Sequence, residues 1–272
     1  MRDCLFIVAG AIMMGSLPVF VRNLHINPVE ISFFRLLSGF IFISLFIILM
    51  KEKPEIRNWR LVILITIINT ATIVLYIASI QLTKAATAAL LLYMAPVYTV
   101  PLSILAGEDV GVGGYVSLLF GLLGLLLVIS PNKFSKGDIF GFFAGICYAL
   151  YFILMKKARL EMTSIDITFA YLALSSAMLS PAITFGLPPP SSLPWIAGLG
   201  LIPTAIAFIL FNHGIKGCGA GKSSISALIE PVSAGFFGYI FFGEVLSPKQ
   251  LAGGALIISA VAFLFLHEQN SK

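Results

Sequence analysis

Glu30-Ile31-Ser32-Phe33 returns as Asp166-Ile167-Thr168-Phe169, 136 residues further along the chain. Trp59 returns as Trp195 and Gly107-Glu108 as Gly243-Glu244 at the same offset, while Ala9-Gly10 returns as Ala144-Gly145 and Pro96 as Pro231 at 135. An offset this constant marks an internal repeat. Each copy holds five long apolar segments. Because five is odd, the second copy enters a membrane in the opposite orientation to the first. Inverted repeats are a common build of secondary transporters, with the substrate site near the midplane between the halves.

Composition requires the bilayer. Of 272 residues, 59% are hydrophobic and 11% charged, against about 25% charged in soluble domains. Spans of about 20 residues, each enough for ~30 Å of hydrocarbon, are expected near 4–22, 28–50, 61–80, 85–105, 112–131, 138–156, 165–186, 195–213, 222–242 and 248–266. The fold expected is therefore an all-α integral membrane protein of ten transmembrane helices in two inverted five-helix repeats, 1–136 and 137–272. The first span follows Arg2 as a signal peptide would. It lacks a small-x-small cleavage site and is expected to be retained.

The net charge of +5 does not point to nucleic acid. With the N-terminus in the cytoplasm, 11 Lys and Arg residues fall on the inner side and 5 on the outer side (Arg22, Lys84, Lys133, Lys136 and Lys249), with Arg35 inside a span. This bias fits the positive-inside rule with both termini cytoplasmic, in an inner or plasma membrane. The charged 51–60 loop is expected among lipid headgroups. Cys4, Cys147 and Cys218 have neither disulfide nor zinc spacing and are expected to serve packing.

Three spans carry helix breakers: Gly15 and Pro18 in the first, Pro96 and Pro101 in the fourth, Pro231 in the ninth. Proline leaves the carbonyl four residues earlier without its donor and bends the axis. The repeat-matched pair Pro96 and Pro231 is expected to form functional hinges.

Polar stripes locate the interior, because a lipid-facing side needs none. Span nine presents Ser223, Ser226, Glu230 and Ser233 at spacings that keep them on one helical face. Glu230 lies ~14 Å deep, where a carboxylate costs roughly 2.5–3.5 kcal/mol. Two readings stay open: contact with substrate or a coupled proton, and a structural carboxyl bonded to backbone freed by Pro231. Span three presents Asn69, Thr72, Tyr76 and Ser79; its repeat mate, span eight, places Asn212 opposite Tyr76. Tyr93 and Tyr98 in span four and Tyr148 and Tyr151 in span six add aromatic walls with hydroxyls, suited to amphipathic solutes. The candidate substrate-binding residues are Asn69, Tyr76, Tyr93, Tyr98, Tyr148, Tyr151, Asn212, Ser226 and Glu230. Arg35 is either an anion ligand or a side chain tied to the interface or to a neighbouring carbonyl, and the structural role is preferred. Glu108 and Glu244 close equivalent helices, where the dipole disfavours negative charge; each is expected to cap a loop or pair with a cation.

Gly217-Cys218-Gly219-Ala220-Gly221-Lys222-Ser223 imitates a phosphate-binding loop. Lys216 stands where the pattern needs its first glycine, and a membrane helix precedes it where a strand is needed. No HExxH or GxSxG occurs, and no catalytic residue, metal or cofactor is expected.

Two five-helix halves, each with a Pro-Val followed by Gly-Glu (Ala95-Pro96-Val97 to Gly107-Glu108, Glu230-Pro231-Val232 to Gly243-Glu244), resemble the EamA-type branch of the drug/metabolite transporter superfamily. Arg35 after Phe33-Phe34 resembles the arginine common in that family's second helix. The resemblance implies a cavity among helices one, three, four, six, eight and nine, and a family that includes exporters of amino acids and related metabolites, sugar-phosphate exchangers and small drug exporters. The function expected is secondary transport, in the export direction, of a small polar or amphipathic metabolite, with amino acids among the candidates. The partners are that solute and the lipid bilayer, with the chain a monomer or homodimer. A channel or a membrane-embedded enzyme is the alternative.

Overall fold

The computed structural model describes residues 2–82, 85–128, 135–243 and 245–270. Lys84, Lys133, Glu244 and Lys272 lie outside them, including the expected capping role of Glu244. The chain runs α1 (Arg2–Met14), α2 (Leu17–Val21), α3 (Pro28–Met50), α4 (Trp59–Leu82), α5 (Ala85–Tyr93), α6 (Ala95–Leu105), α7 (Gly111–Val128), α8 (Lys136–Glu161), α9 (Ser164–Met178), α10 (Leu193–Gly200), α11 (Ala207–Cys218), α12 (Ala220–Ser226), α13 (Ile229–Phe242) and α14 (Pro248–Asn270). Among the described residues there is no strand.

Nine stretches of the described residues are long and apolar enough to cross a membrane. The segment expected at 165–186 differs. Its α-helix, α9, has 15 residues and spans about 22 Å. Pro181 cannot extend the ladder, and the chain continues as a 3₁₀ turn over Ser180–Phe185. The outer helix faces carry exposed apolar side chains such as Ile48, Leu105, Val112 and Leu119. In water such a surface would drive aggregation; in lipid it is the expected solvent face.

The repeated motif has a local cause. Asn27 and Thr163 are N-caps. Glu30 and Asp166, three residues on, reach back to the backbone N–H of Asn27 (2.8 Å) and of Thr163 (3.2 Å). These are capping boxes that start α3 and α9. The paired glycines Gly10 and Gly145 serve close approach. A Cβ on Gly10 would meet the Ala207 carbonyl oxygen at 2.8 Å, and one on Gly145 would meet the Leu91 carbonyl oxygen at 2.5 Å. Gly107 and Gly243, at φ 86° and 65°, end their helices in the left-handed region that a side chain disfavours.

Packing joins helices from the two sequence copies. α1 lies along α11, α4 along α8, α7 along α14, α3 against α9 and α10, and α6 against α12. The first helix starts at the same end of the bundle where α14 finishes, since Asp3 sits beside Gly217, Glu108 beside Gly219, and His267 beside Gly113. We call this the terminal end. The 51–58 loop docks there rather than lying free. Asn58 Nδ2 donates to Glu161 Oε2 (3.0 Å) and the Glu55 N–H to Asp166 Oδ1 (3.3 Å).

The cysteines require a correction. Cys4 and Cys218 form a disulfide with Cα atoms 5.0 Å apart, although 214 residues separate them in sequence. Spacing along the chain hides this pair because the crossing of α1 and α11 creates it. Cys147 is free and partly buried.

Candidate functional site

Each broken span is broken for a stated reason. Pro18, Pro96 and Pro231 withhold a donor from the carbonyls of Met14, Leu92 and Ala227. The helix ladder is interrupted between α1 and α2, between α5 and α6, and between α12 and α13. Ser16 Oγ bonds to the Met13 carbonyl (2.6 Å) at the first break. A fourth break was not anticipated. Between α10 and α11 a π-helical turn covers Leu201–Ile206. Pro203 leaves the Leu199 carbonyl without its usual donor, and the Thr204 hydroxyl takes it at 2.8 Å.

These breaks place helix ends inside the bundle, around a cavity of about 410 Å³, within the range of small-molecule sites. Glu230 lies in the first turn of α13, where the helix dipole favours a carboxylate. The Tyr93 hydroxyl is within hydrogen-bonding reach of it. Arg35 lines the same cavity and is clamped at the π turn. Its Nε donates to Thr204 Oγ1 (2.9 Å), its Nη2 donates to the Pro203 carbonyl (3.3 Å), and its guanidinium lies 5.5 Å from the Phe208 ring centre. No ion pair joins Arg35 to Glu230 among the described residues. Among the described residues the cavity lining therefore includes one cation from α3 and one anion from α13 that are not ion-paired. Asn69 adds a polar group from α4. It is 7% exposed, and its Nδ2 has no hydrogen-bond partner among the described residues. Thr72, Tyr76 and Tyr148 add hydroxyls, and Met14, Ile73, Leu92 and Phe208 add apolar surface.

Of the residues singled out in sequence, Asn69, Tyr76, Tyr93, Tyr148, Glu230 and Pro231 line this cavity. Tyr98, Tyr151, Asn212, Ser226 and Pro96 are not on its wall. Tyr98 packs edge-on against Phe142. Tyr151 donates to Asn212 Oδ1 (2.7 Å), and Asn212 Nδ2 donates to Thr168 Oγ1 (2.9 Å), so both side chains are spent on each other. Ser226 bonds back to the Lys222 carbonyl (2.9 Å). Pro96 is buried beside Met94 at the α5–α6 break. Arg35 has the structural ties expected of it and a place on the wall as well. The second role is the anion-ligand alternative that its depth inside span two left open.

At the terminal end Glu108 caps α12. Its carboxylate oxygens accept from the N–H groups of Ala220 (3.0 Å) and Gly221 (3.2 Å). A carboxylate of the chain itself thus sits where a phosphate would have to bind, which agrees with rejecting the Gly217–Ser223 loop as a nucleotide motif.

The EamA-like transporter family matches the chain twice, over residues 1–130 and 135–266. An uncharacterized transporter of Archaeoglobus fulgidus is 43% identical over 257 residues, covering 94% of this chain and 93% of that protein. A probable terminal-alkyne amino-acid exporter of Streptantibioticus cattleyicolor is 23% identical over 189 residues, covering 66% of this chain and 64% of that protein. A solved crystal structure superposes with a TM-score of 0.86 over 98% of both chains at 15% identity, a likeness of fold alone. A family match across both sequence copies, an all-helical bundle with nine apolar membrane-length stretches and a cavity sized for a small molecule lead to one conclusion: the chain is a multi-pass membrane protein belonging to the EamA-like transporter family.

Proposed function

We propose that the protein is a secondary exporter working by alternating access on a small solute that carries both a cation and an anion, an amino acid being the simplest case. The observation that carries this reading is the separation of Arg35 and Glu230 on one cavity. The two opposite charges share one space and feel each other's field without making a direct ion pair, so neither is fully neutralised, a costly arrangement at membrane depth. A zwitterion supplies both partners at once. Its carboxylate meets Arg35, its ammonium meets Glu230 and Tyr93, and its side chain lies among Tyr76, Tyr148 and Phe208. The similarity to an amino-acid exporter favours the same class. Pro96 and Pro231 act as hinges in this reading, Pro231 at the wall itself.

The proposal includes ten crossings in two inverted halves, 1–136 and 137–272, in an inner or plasma membrane with the terminal end cytoplasmic. Contact partners support it. Exchanging the halves turns the α1–α11 pair into the α8–α4 pair, and returns the α7–α14 and α3–α9 pairs to themselves. The tenth crossing would be α9 with its 3₁₀ turn, whose 15 and 6 residues together reach about 34 Å. Reporter fusions after residues 60 and 136 should report opposite sides, cytoplasmic and external. Both on one side would remove the inverted arrangement. The Cys4–Cys218 disulfide at the proposed cytoplasmic end sharpens this test, because most cytosols keep thiols reduced.

Counterflow in proteoliposomes tests the transport reading. Vesicles preloaded with unlabelled L-amino acids should accumulate the labelled amino acid transiently, because a carrier exchanges and a channel or an enzyme does not. The zwitterion reading fails if simple carboxylates or simple amines stimulate exchange equally well. The carrier reading fails if no L-amino acid, amine or carboxylate does.

A further inference from the structure

A second cavity, of about 490 Å³, opens at the terminal end between the 55–57 loop and the adjoining ends of α8, α9 and α11. Its wall, like that of the central cavity, carries both signs of charge. Arg57, Arg159 and Lys216 face Glu55, Glu161 and Asp166. Through the apolar core of Phe152, Met155, Phe208 and Phe211 that lies between the two cavities runs a column of buried polar groups. Tyr148, on the central wall, stacks on Tyr151, with ring centres 6.2 Å apart. Tyr151 bonds to Asn212, and Asn212 to Thr168. The Asn212 carbonyl accepts from Arg159 Nε at 2.9 Å, and Arg159 lines the second cavity. Tyr151, Asn212, Thr168 and Arg159 are all at least nine-tenths buried.

A polar column is an expensive way to fill a membrane protein's centre if packing is its only role, because each member must find a partner. Tyr171 on α9 is fully buried with its hydroxyl in reach of both Tyr151 and Asn212, although among the described residues it makes no hydrogen bond of good geometry. A buried hydroxyl so placed can tighten onto Asn212 when the bonds of the closed network lengthen.

We propose that the terminal-end cavity is the second vestibule of the same pathway, receiving the same doubly charged solute, and that the Tyr151–Asn212–Thr168 network is the gate between them. In this structure that gate is closed. The central cavity, whose wall includes Val128 and Gln250, is the vestibule of the opposite end. Opening passes the Asn212 hydrogen bonds to Tyr171, and the path then runs from Arg159 to Tyr148. This rests on the reading of the chain as an alternating-access carrier.

The test needs no substrate. An Ile73→Cys reporter in the central cavity, in a Cys147→Ser background, is labelled in oriented vesicles by a membrane-impermeant maleimide applied to either side. With the gate intact, labelling should come from the end opposite the termini. Asn212→Leu, of similar volume without the hydrogen bonds, should raise labelling from the terminal end about tenfold, the shift expected when a closed state loses its bias. Labelling from the opposite end must persist, which shows that the cavity is still formed. Tyr151→Phe keeps the ring and removes one bond; it takes the place of Asn212→Leu if that variant fails to fold, with the same criterion. Terminal-end labelling that stays at background while opposite-end labelling persists overturns the gate. A negative counterflow result would overturn the carrier reading without changing this labelling pattern, so failure of the carrier reading and failure of the gate are told apart.

Discussion

We expect Glu230→Gln to fold normally and to transport with a rate that no longer varies between about pH 5.5 and 8.5. Glutamine keeps the size and most of the hydrogen-bonding capacity of glutamate while removing its titration. Glu230 sits in the first turn of α13, within reach of Tyr93 and on the same cavity as Arg35. A group so placed can release its proton as the ammonium of a substrate arrives. The rate at neutral pH should fall by about tenfold or more, since the anion that meets that ammonium is gone. Flux across the pH range, measured beside the melting temperature, decides between roles. A lowered melting temperature with an unchanged pH profile would make the carboxyl structural.

Arg35→Gln should lower counterflow by roughly 30-fold or more, the range for removing one partner of a desolvated charge pair. The Leu199 carbonyl keeps its donor from Thr204, so the π turn should survive and the melting temperature should change little. Arg35→Lys should recover only part of the rate. An ammonium keeps the charge but cannot hold Thr204 and Pro203 with a rigid fork and still face the cavity. A full rate in Arg35→Gln would assign the arginine to the clamp alone. A large loss of thermal stability with counterflow intact per folded molecule would say the same.

The bilayer class and the deep acid were legible in the chain because both are local. Composition requires lipid, and Glu230 stands out as a carboxylate among small polar residues. The paired prolines were legible because they occur twice. What stayed hidden depends on residues far apart in sequence. Arg35 finds Thr204 and Pro203 across 168 or 169 positions. Tyr151 and Asn212 look like cavity residues by spacing alone and instead face each other. Two of the serines sharing the face of Glu230 are engaged locally. Ser226 and Ser233 bond to carbonyls of their own helices, which helical spacing does not distinguish from a polar wall.

The Cys4–Cys218 bond has a topological consequence. It turns residues 4–218 into a covalent ring, leaving α12, α13 and α14 as a tail. A single protease cut within that ring, at the 51–58 loop or at Pro188-Pro189, opens the ring without dividing the molecule. Such a nicked protein runs as one species on a non-reducing gel and as two after reduction. Helices from both sequence copies are thus held on one loop at the terminal end, and any movement of α1 against α11 must swing about that fixed point rather than slide.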